Sequence, residues 1–382
     1  MSDSRFKWVI PSCFLFYFFI GVAYSQVTSR MPALKELAHV DEAGLGLALS
    51  SLGAGSLLGF ATIPFLLKHI SSRTMLRSAT VANIALLFGI PLVFNLESLC
   101  ITFAFLGLAF AYFEVAMNTQ IINLELKSGG QYMLRMHAGF NVGALTGSLS
   151  GSAFAFYSIG VGANLLAVGL FFCIPLILGS LFLLEDVTPE GMEKKKGMGK
   201  IPLAVIFCGI FALCAYTIEG AVAEWGSLVM IQEKNASESL AALVYGSFSF
   251  VTALTRFGAD KLRSMIGDFR LILFGALTAF LGMSIVIFTS SPYLTLFAYG
   301  LCGVGLAPVV PVILSKVGHR NDIHPAAATT VVSLFGYSGV LVVPPSLGLL
   351  ANQYGLINAM FLPLGLIFVV VMSSFVIRKM KG

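Results

Sequence analysis

Three glutamates, Glu114, Glu219 and Glu224, lie within long apolar stretches of this 382-residue chain. A charged side chain at the centre of a bilayer costs roughly 2.5–3.5 kcal/mol even on lenient insertion scales, and such residues commonly have a function. Because removal from water disfavours the charged form of a carboxyl group, the three glutamates are candidate proton carriers. His137 is a fourth candidate, since an imidazole titrates near neutral pH.

Each of these residues also has a structural interpretation. Glu114 could stay protonated and hydrogen-bond a neighbouring helix, and His137 could be an ordinary interfacial histidine. The other two glutamates could form an ion pair with Arg30, near the outer end of the first apolar stretch. Helical spacing places Glu114 on one stripe with Asn118 and Glu125, and a polar stripe on an apolar helix should face protein or a water-filled cavity.

The stretches that carry these residues are long enough to cross a membrane. The chain is 57% hydrophobic and 11% charged, which excludes an ordinary soluble globular domain. One crossing needs about 20 apolar helical residues, and helices satisfy their backbone groups internally in lipid. The sequence predicts twelve spans, numbered 1 to 12: 8–36, 42–67, 74–95, 97–124, 137–158, 162–184, 201–231, 237–258, 269–289, 292–315, 325–350 and 355–377.

Lys and Arg residues are distributed unequally between the two sides of the predicted membrane. When the spans are threaded alternately with the N-terminus inside, 20 of the 23 Lys and Arg residues fall on the cytoplasmic side. The positive-inside rule therefore predicts that both termini are cytoplasmic. These basic residues are spread over short loops, which argues against a nucleic-acid partner and is compatible with contact to membrane lipids.

A polar segment, residues 185–200, divides the twelve spans into two sets of six. We interpret it as a cytoplasmic linker between an N-terminal bundle, 1–184, and a C-terminal bundle, 201–382. The halves resemble each other weakly, as repeats in transporters do, because both the loop after span 2 and the loop after span 8 are basic. The predicted fold is therefore an all-α membrane protein with two pseudo-symmetric six-helix bundles.

This organisation, together with three short motifs, resembles the major facilitator superfamily. The motifs are E-V-A-M-N-T-Q at 114–120, R-M-H at 135–137 and E-G-A-V-A-E-W at 219–225, and they are similar to those of YbjJ-type inner-membrane transporters near the fucose-permease-like branch. The loop after span 2 departs from the superfamily pattern, because Pro64 and Lys68 stand where a Gly and an Asp are usual. The loop after span 8 keeps its acidic residue, Asp260.

The resemblance implies a central cavity lined by spans 1, 4, 7 and 10. Six residues that could offer hydrogen bonds or ring surfaces to a small polar solute are Tyr24, Gln26, Asn118, Asn141, Trp225 and Tyr299. Candidates for gating are Arg30, Arg73, Glu125, Asp260, Arg263, Pro344 and Pro345. The two prolines should break or kink the helix of span 11.

Glycines at 139, 143, 147 and 151 recur every four residues along span 5. This spacing predicts a flat face for close contact with another helix, which is how small residues are used in membranes.

The sequence thus predicts a secondary transporter rather than an enzyme. We expect a monomer in the bacterial inner membrane. We also expect that it needs no cofactor and binds no metal, because the sequence carries no nucleotide-binding motif and no cluster of metal ligands. The first expectation is proton-coupled symport of a small polar solute such as a sugar or another metabolite. The alternatives are proton-driven export of a metabolite or drug and a non-transporting membrane scaffold or receptor.

Overall fold

The computed structural model describes residues 7–67, 69–129, 132–186, 201–318 and 325–379, and their regular structure is entirely helical. Contacts between Cα atoms divide the chain into two compact units, Met1–Met192 (the N unit) and Glu193–Gly382 (the C unit). The division falls within the predicted linker, of which residues 187–200 lie outside the described residues.

The N unit contains the helices of spans 1 to 6. They run Val9–Ser29, Met31–Leu37, Glu42–Leu66, Ser72–Gly89, Leu96–Ser128, Met133–Phe156 and Val161–Ser180, with a 3-10 turn at Ile90–Leu92. Polar caps fix where these helices begin. The Asp41 carboxylate accepts a hydrogen bond from the Gly44 amide at 2.8 Å, and the Asn95 side chain accepts one from the Ser98 amide at 2.9 Å. These bonds satisfy amides that have no partner within the helix.

The C unit contains the helices of spans 7 to 12. They run Leu203–Gly220, Gly226–Lys234, Glu238–Ala241, Val244–Phe288, Pro292–Leu306, Val309–Gly318, Pro325–Tyr354, Leu356–Ala359 and Phe361–Lys379. A π-helical segment, Ala221–Trp225, interrupts span 7.

One sequence prediction about the C unit is wrong. The predicted loop after span 8 is helical, and spans 8 and 9 are separated only at Gly267, whose φ of 77° ends one helix before the next begins. The helix Pro325–Tyr354 continues through Pro344 and Pro345, so these prolines do not break span 11, and the alternative of a kink stays a prediction. A proline in a helix interior removes one backbone hydrogen bond, which a long membrane helix can tolerate.

Eleven helices of the described residues are long and apolar enough to cross a membrane. The predicted span 5 is a helix, Met133–Phe156, but it is not among those eleven. Its composition explains this, because four glycines and several hydroxyl residues lower its hydropathy.

The glycine face of span 5 packs against span 1, which confirms the predicted close contact. A methyl group on Gly143 would collide with the carbonyl of Phe18, and one on Gly147 would lie 2.7 Å from the carbonyl of Val22. At the two ends of the glycine face, Gly139 and Gly151 instead face the side chains of Phe14 and Ser29. The lack of side chains lets the two backbones approach closely at Gly143 and Gly147.

Candidate functional site

A polar group in the N unit joins spans 1, 4 and 5 around Glu114. The Tyr17 hydroxyl of span 1 donates a hydrogen bond to Asn118 Oδ1 at 2.5 Å. Glu114 lies one helical turn before Asn118, is half-buried and acts electrostatically on Tyr17. The predicted stripe on span 4 therefore turns its acid and its amide toward a buried tyrosine.

His137 belongs to the same group. Its ring centroid lies 5.0 Å from that of Tyr17, although the imidazole side chain is otherwise exposed. Because the helix begins at Met133, four residues before the predicted start of span 5, His137 lies within its second turn. Asn141 lies one turn further and donates a 3.4 Å hydrogen bond to the His137 carbonyl.

An aromatic cluster lies further along the same three helices. The Tyr24 ring, two turns beyond Tyr17, has its centroid 6.3 Å from that of Phe110 and 6.3 Å from that of Phe140. Phe110 lies one turn before Glu114 on span 4. The N unit thus carries a polar group and an adjoining aromatic cluster that could contact a small solute bearing both polar and apolar surfaces.

Gln26 and Arg30 have the contacts of structural residues in the N unit. Gln26 is fully buried, donates to the Gly147 carbonyl at 3.0 Å and to Ser150 Oγ at 2.5 Å, and accepts from Asn164 at 2.7 Å. Its amide group is therefore fully used in joining spans 1, 5 and 6. Arg30 is buried and donates to the carbonyl of Ile159 at 3.0 Å, just after span 5, where a cation complements the helix dipole.

Two further candidates for gating lie near the ends of N-unit helices. Glu125 Oε1 accepts the backbone amides of Tyr132 at 2.6 Å and Met133 at 3.0 Å, so it caps the start of span 5. Arg73 lies 3.7 Å from the carboxylate of Glu185, which is itself 86% exposed. Such an exposed pair contributes little to stability.

A cluster at the start of span 3, here called the linker corner, consists of Ser72, Gln120, Asn123 and Asp186. The Asp186 carboxylate accepts the Ser72 amide at 2.8 Å and the Asn123 amide at 3.0 Å, and the Ser72 hydroxyl also donates to it. Gln120 donates to Ser72 Oγ at 2.7 Å and to the Leu184 carbonyl at 2.9 Å. These bonds fix the first residues of the predicted linker to spans 3 and 4.

In the C unit, Glu224 lies within the π-helical segment and is only 4% exposed. A π-helical turn contains about one residue more than an α-helical turn, so regular α-helical spacing does not give the positions of side chains around Glu224. Single π-helical turns occur often at functional sites. Among the described residues, Glu224 has no ion-pair partner within the salt-bridge distance.

Trp225 and Tyr299 are fully buried in the C unit, in the neighbourhood of Gly226. The Tyr299 hydroxyl would lie 3.6 Å from a methyl group placed on Gly226. The Trp225 indole nitrogen and the Tyr299 hydroxyl have no hydrogen-bond partner among the described residues. A buried donor without an acceptor is costly, so both groups are candidates for contacting a solute or water.

Glu219 differs from Glu224 in having partners. The Tyr245 hydroxyl donates to Glu219 Oε1 at 3.4 Å, and Arg256 acts electrostatically on the same carboxyl group. Both partners belong to span 8, so Glu219 joins spans 7 and 8 within the C unit.

The C unit has its own charged cluster where span 9 begins, here called the loop corner: Arg263, Asp268 and Lys316. Arg263 Nε donates to Asp268 Oδ1 at 2.6 Å, and Lys316 Nζ lies 3.4 Å from Asp268 Oδ2. Asp260, the acid expected in this loop, lies on the helix, and its side chain is outside the described residues.

Comparison with known proteins identifies the family. A model of the Major Facilitator Superfamily matches residues 12–320. The chain belongs to the Major Facilitator Superfamily. Membrane protein MosC of Rhizobium meliloti is 29% identical over 90% of this chain and 84% of its own length. An MFS-type transporter of Yersinia pestis is 24% identical over 88% of each chain, and the inner membrane transport protein YdiN of Escherichia coli is 20% identical.

Solved structures of superfamily transporters share this fold. A mutant of the nucleoside transporter NupG superposes with a TM-score of 0.79 at 12% identity, covering 97% of this chain and 99% of that chain. A bacterial homologue of the lysosomal transporter Spinster superposes with a TM-score of 0.78 at 13% identity, covering 98% and 97%. The present protein is thus a multi-pass membrane protein of a transporter family, whereas the assignment to the YbjJ-type group stays a prediction.

Sequence reasoning about this superfamily member missed three residues that organise its polar clusters: Tyr245, Asp186 and Asp268. The sequence places Tyr17 on one helical face with Tyr24, whereas Tyr245 carried no such signal. Asp186 and Asp268 each lie at the edge of a predicted loop, where an acid looks like an ordinary surface residue. Only the tertiary contacts show that Asp186 accepts the Ser72 amide at the start of span 3 and that Asp268 pairs with Arg263 and Lys316.

Proposed function

We propose that this protein is a proton-coupled symporter that carries a small polar solute across the bacterial inner membrane by alternating access. The polar group of Tyr17, Glu114, Asn118 and His137 carries this proposal. It combines a carboxyl group that can take up a proton with an amide and an imidazole that can hydrogen-bond a solute. A proton and a solute that bind close together can influence each other directly, which is one way to couple their transport.

The coupling follows from the cost of burying charge. An ionised Glu114 resists enclosure in a site closed to water, whereas a protonated Glu114 does not. A transporter that must close over its solute can therefore close more readily when Glu114 holds a proton. Glu224, buried within the π-helical segment, is the second candidate carrier, and Glu219 is the third.

We propose solute-binding roles for residues of each unit, considered separately. In the N unit these are Asn118, Asn141 and the Tyr24 ring, which are half-buried. In the C unit they are the Trp225 indole and the Tyr299 hydroxyl, two buried donors that lack acceptors among the described residues. Gln26 is left out of the proposed N-unit residues because its amide is fully used within that unit.

The proposed topology has twelve spans with both termini in the cytoplasm. The unequal distribution of Lys and Arg supports this orientation. The helix Met133–Phe156 supports a twelfth crossing, because it is long enough to cross and follows the helix of span 1 along its glycine face. Cysteine-accessibility labelling from each side of intact inner-membrane vesicles would test the orientation.

The function is tested first by finding the solute. Purified protein is screened for increases in melting temperature against sugars, amino acids, nucleosides and organic acids. Nucleosides are included because one structural neighbour is a nucleoside transporter. A compound that stabilises the protein is then added outside proteoliposomes that contain a pH-sensitive dye. A symporter acidifies the interior, whereas an exporter working by exchange does not.

The role of Glu114 is tested in the same proteoliposomes. Glu114→Gln should abolish proton-driven accumulation while exchange of the compound across the membrane continues. Glu97→Gln is the matched control, since Glu97 lies on the same helix and is exposed. Unchanged coupling in Glu114→Gln would remove Glu114 from the mechanism, and a wild-type protein that moves no protons with its solute would refute the proposed function.

A further inference from the structure

Arg73 and Arg77, here called the arginine pair, lie one helical turn apart near the start of the helix of span 3. Arg77 donates a hydrogen bond to the Ser180 carbonyl at 2.6 Å, and Ser180 is the last residue of the helix of span 6. Arg73 forms an ion pair with Glu185 at 3.7 Å. A guanidinium group carries five N–H donors, and the Nε atom of each arginine has no hydrogen-bond partner among the described residues. The arginine pair can therefore donate to a further acceptor.

The arginine pair adjoins an apolar surface that spans 3 and 6 form together. The helices of these two spans contact each other. Val81, one turn after Arg77, is more than half exposed, and so are Ile177 and Leu181 on either side of Ser180. Apolar side chains exposed on a membrane-spanning helix face the acyl chains of lipids. The arginine pair thus lies at one end of a surface that contacts lipid.

Trp8 indicates the depth of the arginine pair in the membrane. Its ring centroid lies 6.0 Å from that of Phe182, two residues after Ser180, and the indole is 59% exposed. Tryptophan is enriched where acyl chains meet lipid headgroups. The starts of spans 1 and 3 and the end of span 6 therefore lie at headgroup level on one side of the membrane, which is the cytoplasmic side in the proposed topology.

The charges near the arginine pair favour an anion that approaches from the lipid. The helices of spans 3 and 6 contain no Asp or Glu, so the pair meets no acid on that side. Glu185 follows the end of span 6 and is 86% exposed, so water weakens its attraction for Arg73. The carboxylate of Asp186 is bound within the linker corner. These two acids therefore leave the lipid-facing side of the pair positively charged.

We propose that the arginine pair binds the phosphate of an anionic phospholipid whose acyl chains lie on the apolar surface of spans 3 and 6. Basic pockets between helices at the cytoplasmic side of a membrane bind lipid headgroups, and guanidinium groups match the geometry of phosphate oxygens. Because Arg77 also bonds the end of span 6, the lipid binds where these two helices are joined. The site uses none of the residues proposed for proton or solute binding.

The test measures lipid binding to the purified full-length protein in detergent by native mass spectrometry. The wild type should bind phosphatidylglycerol at least fivefold more tightly than phosphatidylcholine, which has the same phosphate but no net charge. Arg73→Gln should weaken phosphatidylglycerol binding roughly fivefold, the effect of one basic residue at an anionic surface, and Arg73→Gln combined with Arg77→Gln should weaken it further. Arg270→Gln is the matched control, because Arg270 is an exposed arginine near the start of span 9.

Arg73→Gln is measured first because its exposed ion pair contributes little to folding, whereas Arg77→Gln also removes the bond to Ser180. Arg73→Lys, which keeps the charge, should keep the preference for phosphatidylglycerol. Wild-type binding of phosphatidylglycerol by Arg73→Gln and by the double variant would overturn the proposal, and so would equal affinity of the wild type for the two lipids. Displacement of the lipid by an equal concentration of glycerol 3-phosphate would show that the pair binds a soluble phosphate instead. None of these results depends on proton coupling.

Discussion

The N unit and the C unit use the same hydrogen bond to join equivalent helices. In the N unit, Ser56 Oγ donates to the Gly107 carbonyl at 3.2 Å, and in the C unit Thr252 Oγ1 donates to the Gly303 carbonyl at 3.3 Å. Each C-unit partner lies 196 residues after its counterpart, since 56 corresponds to 252 and 107 to 303. The comparison shows that the scaffold is repeated at the level of single hydrogen bonds.

The corners at the starts of spans 3 and 9 are repeated in position but not in chemistry. By the same spacing, Ser72 corresponds to Asp268 and Gln120 corresponds to Lys316. In the loop corner the acid is part of span 9 itself and is held by two cations. In the linker corner the helix begins with a serine, and Asp186 from the linker supplies the acid. The N unit thus takes this carboxylate from the linker, whereas the C unit has it on span 9 itself.

The candidate chemistry is not repeated at all. The position equivalent to Glu114 is Val310, and the position equivalent to Asn141 is Tyr337, whose ring stacks on Tyr216 at 5.8 Å between centroids. Close helix packing demands small and hydroxyl residues in both units, whereas a proton site is needed only where it acts. The repeated hydrogen bond therefore belongs to the scaffold, whereas Glu114 and Asn141 have no counterpart of the same chemistry in the C unit.

The largest expected effect distinguishes Glu114 of the N unit from Glu224 of the C unit. Glu114→Gln should lower proton-driven accumulation at least tenfold, because the polar group loses its titrating member. Glu224→Gln should lower it less, since Glu224 is the second candidate carrier in the proposed mechanism. Accumulation of the identified solute in proteoliposomes measures both. The reverse order would place the proton site in the C unit.

The next largest effect is expected from the repeated helix packing, in which span 2 contacts span 4 in the N unit and span 8 contacts span 10 in the C unit. A methyl group on Gly107 would meet the Leu52 carbonyl, and one on Gly303 would lie 2.6 Å from the Phe248 carbonyl. We expect Gly107→Ala and Gly303→Ala each to destabilise the protein by about 1–3 kcal/mol, as overpacking does, with Gly107→Ala the worse. Melting temperatures in detergent measure this. Gly365→Ala is the control, because no atom lies within 4 Å of its added methyl group.

A smaller effect is expected at the linker corner. Asp186→Ala removes the acceptor for the Ser72 amide and the Asn123 side chain, and we expect a loss of about 1 kcal/mol, as for a helix cap. The control is Glu185→Ala at the neighbouring position, where the exposed pair with Arg73 should contribute almost nothing. Equal melting temperatures for the two variants would contradict a capping role for Asp186.

The smallest effect is expected at the loop corner. Asp268→Asn breaks two partly exposed ion pairs, and we expect a loss of less than about 1 kcal/mol. The loss should shrink at high salt, which screens exposed charges. The Asp186→Ala loss should persist there, because its partners are neutral amides and a hydroxyl. Equal salt dependence in the two variants would mean that the corners do not differ as proposed.

Much of the fold could be predicted from the sequence because lipid imposes simple requirements. Long apolar runs located the helices, and the four-residue glycine spacing on span 5 predicted a contact that the structure confirms with span 1. Where the prediction failed, the local backbone structure differed from what the residue pattern suggested. The charged segment after span 8 suggested a loop, yet helical hydrogen bonding continues as far as Gly267. The π-helical segment of span 7 likewise leaves no mark in residue spacing.

The sequence by itself determined which residues are costly to bury. The free-energy cost of placing a side chain in lipid depends on the type of side chain and on the length of the apolar run around it. It did not determine what those residues touch. Gln26 and Asn118 look alike as polar residues in apolar helices, yet one is enclosed by three helices and the other receives the Tyr17 hydroxyl. Contacts between residues more than 100 positions apart arise only when the helices pack, so the tertiary structure alone decided which polar residue supports the bundle and which adjoins Glu114.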